Sequence, residues 1–197
     1  MSLQNNGIGL GAALALLLAL AAAPAAAEPP PADGPFAGIP NVDLQYYDVT
    51  GGNAREIRAA MDRLRPTDPN DGLRLDALTR WRMGFGWPRR GPDQCVLDQA
   101  RVNFSATVLM PRLVNAEALP RGVRERWQAY VAALQVHEAG HVRHAYEAVA
   151  GVLAAIRAST CANAQEAGRA AVRAAAAFDP EYDRATRHGL SQGAHFP

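Results

Sequence analysis

Hydrophobic and polar residues alternate most clearly between Cys95 and Leu109. Val102, Phe104, Ala106 and Val108, with Met110 beyond, interleave with Arg101, Asn103, Ser105 and Thr107. A period of two sustained over that length predicts a half-buried strand. Leu75 to Trp87 repeats the pattern through Ala77, Thr79, Trp81, Met83 and Phe85. Val42 to Val49, with Tyr46 and Tyr47, reads as a strand that stops at the Gly51-Gly52 turn. The period then lengthens. Asn53 is placed to cap a helix through Arg65 with Ile57, Ala60, Met61 and Leu64 on one side. Pro66 to Gly72 and Arg89 to Asp93 carry turn residues. Pro120 suits the first turn of a helix, and beyond Gly122 in that turn only Gly140 and Gly151 interrupt the helical pattern to about Ser159. Asn163 to Phe178 predicts a further Ala-rich helix, ended by Asp179-Pro180, and Glu181 to Pro197 reads as a polar tail. The expectation is an α+β fold. A small antiparallel sheet of about three to four strands packs on the long helix, with two shorter helices beside it.

The first forty residues follow another pattern. Gly9 to Ala23 is an unbroken small and apolar run followed by Pro24-Ala25-Ala26-Ala27-Glu28. Small residues at Ala25 and Ala27 predict a signal peptide over residues 1–27, although Met1 to Leu10 holds neither Lys nor Arg. The run is shorter than a bilayer span of about 20 residues, so no stable transmembrane segment is expected after cleavage. Residues 28–40 hold five Pro and two Gly and read as a spacer. A single domain over residues 41–197 is left, working outside the cytoplasm in the periplasm or as a secreted protein.

Charge narrows the partners. Twenty basic and 19 acidic residues give a net charge of +1, too balanced for a dedicated nucleic-acid binder. All the basic residues are Arg, which removes Schiff-base and P-loop lysine chemistry.

The chemistry concentrates in one stretch, His137-Glu138-Ala139-Gly140-His141-Val142-Arg143-His144. The first five residues spell H-E-x-x-H. On a helix, residues four apart share a face, so His137 and His141 can reach one Zn²⁺ ion while Glu138 stands beside it as general base. One zinc per chain then calls for a third protein ligand, with a zinc-bound water at the fourth position. His144 shares the face but lies about 10 Å along the axis, so it is expected to support the site or face substrate. Glu147 stands ten residues after His137, on a helix expected to carry it away. His188, before Gly189, is the preferred third ligand, from a tail that folds back across the helix. Asp183 is the alternative, as ligand or as orienter of a histidine ring. Tyr182 is a candidate oxyanion donor, and His195 is expected in solvent.

These residues lead to a resemblance. The chain resembles a family of predicted secreted zinc-dependent proteases known mostly as a domain of unknown function, the 922 group. The likeness rests on Tyr46-Tyr47-Asp48-Val49-Thr50-Gly51 before a helix, the Thr79-Arg80-Trp81 strand, H-E-A-G-H, and Cys95 and Cys161. The tail motif Tyr182-Asp183-x-x-Thr186-x-His188-Gly189-x-x-Gln192-Gly193 completes it. It spans about Val42 to Ala194 and implies a zincin-like, protease-like metal site in the cell envelope. In an oxidising compartment Cys95 and Cys161 are most simply one disulfide, worth roughly 3–5 kcal/mol for a loop of that size. The implied function is an exported zinc metallopeptidase that cleaves peptide or related amide bonds of a peptide or cell-envelope substrate. The competing reading is a non-catalytic, zinc-stabilised envelope binding module. Glu138 separates the two, because a closed structural zinc site needs no base beside it.

Overall fold

The computed structural model describes residues 34–69, 72–91 and 94–197. The expected signal segment and the first part of the expected spacer lie outside these residues. In chain order the elements are β1 (Val42–Val49), α1 (Ala54–Leu64), β2 (Leu78–Gly86), β3 (Arg89–Gly91) and β4 (Gln94–Cys95). They continue with β5 (Arg101–Leu113), α2 (Arg121–Arg157), α3 (Ala164–Ala176) and α4 (Phe178–Thr186). The α+β class is as the periodicity implies.

β5 is the centre of a three-stranded sheet in the order β1-β5-β2. β2 pairs with it antiparallel, Trp81 opposite Ala106, and β1 pairs with it parallel, Val42 opposite Ala106. The sheet is therefore mixed, which corrects the expected antiparallel arrangement. The cause is connectivity. β2 reaches β5 through the short β3–β4 hairpin, which reverses the chain. β1 leaves through α1, and a helical crossover is the kind of link that parallel pairing requires. One face of the sheet is polar, with Arg80, Arg82, Asn103 and Ser105 exposed. The other presents Phe104, Ala106 and Val108 to the core, against Leu134, Val142 and Ala145 of α2.

Local signals account for the helices. Asn53 Oδ1 accepts from the Glu56 amide at 3.1 Å, and Glu56 reaches back to the amide of Gly52, just before the cap, at 2.8 Å, tying down the start of α1. In α2 the buried residues Val123, Trp127, Tyr130, Leu134, His137, His141, Ala145, Val152 and Ile156 form one stripe along 37 residues. The H-E-x-x-H residues therefore occupy core positions of an amphipathic helix. The Cys95–Cys161 disulfide ties β4 to the turn between α2 and α3, across 66 residues of sequence.

Two boundaries differ from expectation. Phe36 and Ile39, inside the expected spacer, are 2% and 5% exposed and belong to the core, and Arg143 Nη2 donates to the Pro35 carbonyl at 2.9 Å. Packing thus begins before Asn41. Pro180 does not end a helix but sits in the first turn of α4, where its missing N–H costs no helical hydrogen bond. The expected tail is therefore helix α4 followed by a tight turn at Leu190–Gln192, with Phe196 buried against Trp127 and Tyr130.

Asp76, just before β2, binds several elements together. Arg58 of α1 grips its carboxylate with two contacts of 2.7 Å, and the buried Tyr130 hydroxyl donates to it at 2.8 Å. Tyr47 of β1 donates to its carbonyl at 2.7 Å. Burial opposes the charge, but Arg58 and Tyr130 hold the carboxyl below its usual range. Such a lowered pKa contributes stability above the unfolded value, about 3.9, and that stability is lost as pH falls through the folded one. Asp76→Asn should therefore cost about 2–4 kcal/mol at pH 7 by urea unfolding. The gap to wild type should narrow as pH falls below about 4 and close only once the folded Asp76 itself protonates, below the usual carboxylate range.

Candidate metal site

The segment Leu75–Thr79, α2 and α4 enclose a cleft of about 80 Å³. His137, Glu138, His141, Asp179, Asp183 and His188 line it. A wider groove of about 670 Å³ shares Asp179, Asp183 and His188 and runs on past Ala176, Pro180 and Arg184.

His137, His141 and Asp183 each offer one ligand atom, all within 4.8 Å of one another. Asp183 Oδ1 lies 3.1 Å from both His137 Nε2 and His141 Nε2. Tetrahedral zinc with bonds of about 2.0–2.2 Å spaces its donors about 3.3 Å apart. Two neutral nitrogens, one carboxylate oxygen and an open side toward the cleft therefore form a donor set that could hold a metal ion, with Asp183 rather than His188 as third donor. His188 stands at the rim with Nδ1 3.5 Å from Asp183 Oδ1.

Partners on the far side of each ring set its orientation. Asp179 Oδ1 accepts from His141 Nδ1 at 2.9 Å, and Asp179 is itself held by Trp81 Nε1 at 2.8 Å. Gln192 Oε1 lies 3.0 Å from His137 Nδ1, while its amide nitrogen donates to the Tyr182 hydroxyl at 2.9 Å. With both Nδ1 atoms protonated, both Nε2 lone pairs face Asp183, the tautomer a metal needs. Without a metal, burial works against protonation of His141, but Asp179 and Asp183 outweigh it and push its pKa up to about 10. Burial raises that of Asp183, yet hydrogen bonds to His137 and His141 hold it well below the usual carboxylate range. A metal must displace the His141 proton, so uptake should weaken as pH falls.

Glu138 is 4% exposed, and Thr79 of β2 donates to its Oε2 at 2.6 Å. Burial raises its pKa above that of an ordinary glutamate. A carboxylate reluctant to hold its charge is a better proton acceptor near neutral pH.

The structure places the other expected residues elsewhere. Tyr182 does not line the cleft. Its ring stacks on His137 at 5.1 Å and meets His141 edge-on at 4.9 Å, and its hydroxyl abuts Gly140. It packs against both histidine rings, with its hydroxyl directed at Gly140 and Gln192. His144 stacks on Phe178 at 3.7 Å, and Phe178 stacks on Tyr182 at 5.2 Å, so His144 buttresses the site from behind. Glu147 is exposed and outside the donor set, and His195 is exposed. Sequence reasoning missed Asp179, read only as a helix stop. The roles of Thr79 and Gln192 were hidden inside the motifs.

A family model described as "Bacterial protein of unknown function (DUF922)" matches residues 44–189. The chain belongs to the DUF922 family. No curated protein and no solved structure matches it. The DUF922 match includes His137, Glu138, His141, Asp179 and Asp183, while Gln192 lies just beyond it. In this DUF922 chain, Gln192→Ala should weaken metal affinity about 10–100-fold, as loss of such an orienting partner does elsewhere. Gln192→Glu, which can only accept from His137, should hold the metal at least as tightly as wild type. Competition with a chromogenic chelator measures both.

Proposed function

We propose that the chain is an exported zinc-dependent metallopeptidase that hydrolyses peptide or related amide bonds. One observation carries the reading: a buried glutamate that is not part of the donor set stands beside it in the same cleft. A structural metal site has no use for such a base. His137, His141 and Asp183 would hold the ion. When bound there, zinc supplies Lewis acidity that lets water lose a proton near neutral pH.

The chain's own residues supply the rest. Thr79 occupies Glu138 Oε2, so Oε1 is the oxygen left to receive a proton from the attacking water. Glu138 then returns it to the leaving amine as the C–N bond breaks. The groove past α4 gives an extended substrate room on one side of the cleft. Export is supported by the apolar run ahead of residue 28 and by the Cys95–Cys161 disulfide, a bond characteristic of oxidising compartments. Among the described residues, no helix is long and apolar enough to cross a membrane.

Elemental analysis of the purified chain should find one zinc. The loaded protein should cleave an unfolded protein such as casein, or the cross-link peptides of cell-wall material. Chelation should abolish cleavage and added zinc restore it. A zinc-bound chain that cleaves neither would instead be a zinc-stabilised binding module.

A further inference from the structure

We propose that His188 is a catalytic residue that donates a hydrogen bond to the oxyanion of the substrate, and that it is not a metal ligand. The inference rests on the peptidase reading and assigns a part that reading leaves vacant. Amide hydrolysis adds the water oxygen to the carbonyl carbon and breaks the C–N bond. One water proton passes through Glu138 to the departing amine. Negative charge gathers on the carbonyl oxygen in between and needs a fixed donor. Tyr182 is unavailable, because its hydroxyl is turned to Gly140 and Gln192.

The side chains lining the cleft leave one candidate. The acidic residues there accept hydrogen bonds when ionised, and Leu75, Ala77 and Leu78 have no polar side-chain atoms. Thr79 gives its hydroxyl to Glu138, and His137 and His141 belong to the donor set. His188 remains, with 43% of its side chain exposed and Nδ1 3.5 Å from Asp183 Oδ1. It stands beside the metal donors, accessible to anything that enters.

The backbone holds it there. Arg187, His188 and Gly189 are consecutive residues in the left-handed region, with φ of 52°, 51° and 80°. Side chains other than glycine rarely adopt that conformation. The His188 amide donates to the Asp183 carbonyl at 2.9 Å, so one turn fixes both the third donor and the rim histidine. Ser191 Oγ, donating to the Thr186 carbonyl at 3.0 Å, secures the turn from the other side.

The test separates ligand from donor without needing a known substrate. Wild type, His188→Ala, His188→Gln and Asp183→Asn are loaded with Co²⁺, and inorganic phosphate is titrated against the visible spectrum. His188→Ala should bind cobalt within about threefold of wild type and phosphate at least tenfold more weakly. His188→Gln, which keeps a donor, should recover most of the phosphate affinity. Asp183→Asn should lose the metal. Where hydrolysis is measurable, His188→Ala should lower kcat about 10²–10³-fold with KM little changed. Loss of cobalt from His188→Ala would make it a ligand and overturn the proposal. So would equal phosphate binding by His188→Ala and wild type. Wild type that binds cobalt and phosphate but cleaves nothing would sink the peptidase reading and leave the His188 comparison standing. Wild type that takes up no cobalt would remove both.

Discussion

Glu138→Gln should leave the metal bound and reduce hydrolysis about 10²–10⁴-fold, the range expected for losing a general base. Gln is isosteric with Glu and can still accept the 2.6 Å hydrogen bond from Thr79, so the cleft keeps its shape. What disappears is an oxygen able to take a proton. The same substitution should stabilise the metal-free protein. Burial raises the folded pKa of Glu138, so its protonated form is the one the fold favours. The associated stability is present below the unfolded value, about 4.3, and is lost as pH rises through the folded one. Metal-free Glu138→Gln should therefore melt above metal-free wild type at pH 7, with the difference shrinking in acid. A stabilised but inactive variant is the usual signature of a group kept for chemistry. An inactive variant that has also lost its metal would instead make Glu138 part of the binding set.

Gly140→Ala should be destabilising although it sits in mid-helix, where alanine is normally worth up to about 1 kcal/mol more than glycine. A Cβ at this position would run into the ring and hydroxyl of Tyr182. Tyr182 cannot retreat freely, because it is stacked between His137 and Phe178 and its hydroxyl is held by Gln192. Overpacking of this kind costs about 1–3 kcal/mol, enough to reverse the propensity gain. Any movement of Tyr182 also disturbs the Gln192 contact that sets the His137 tautomer, so metal affinity should fall at least tenfold. Gly151→Ala is the control on the same helix. Nothing lies within 4 Å of its would-be Cβ, so thermal unfolding should show a small gain.

The elements made by local rules were legible in the sequence. Asn53 announces the start of α1, the alternation from Val102 to Val108 announces β5, and Trp127 to Ile156 marks the buried stripe of α2. His137, Glu138 and His141 were readable because their geometry is helical, fixed over four residues. What depends on distant partners was not. The parallel pairing of β1 with β5 is set by the crossover through α1, which no residue of either strand encodes. Phe36 looked like spacer because its neighbours are Pro and Gly, and only the core decides that it packs. That Asp183, rather than His188, joins the His137–His141 cluster depends on where α4 begins. Pro180, read as a stop, is a start, and it sets Asp179 and Asp183 four residues apart on one helix facing α2.

The donor set draws on two stretches of chain that are synthesised at different times. A chain that emerges N-terminus first exposes His137, Glu138 and His141 well before Asp179, Asp183 and Gln192 exist. Until then the two imidazoles lack their third donor, and nothing sets their tautomers. The missing parts arrive in α4 and the turn after it, beyond which Phe196 docks on Trp127 and Tyr130. A chain still being made therefore lacks the complete donor set by the order of its own sequence. On the metallopeptidase reading, metal capture would belong to the last step of folding, not the first.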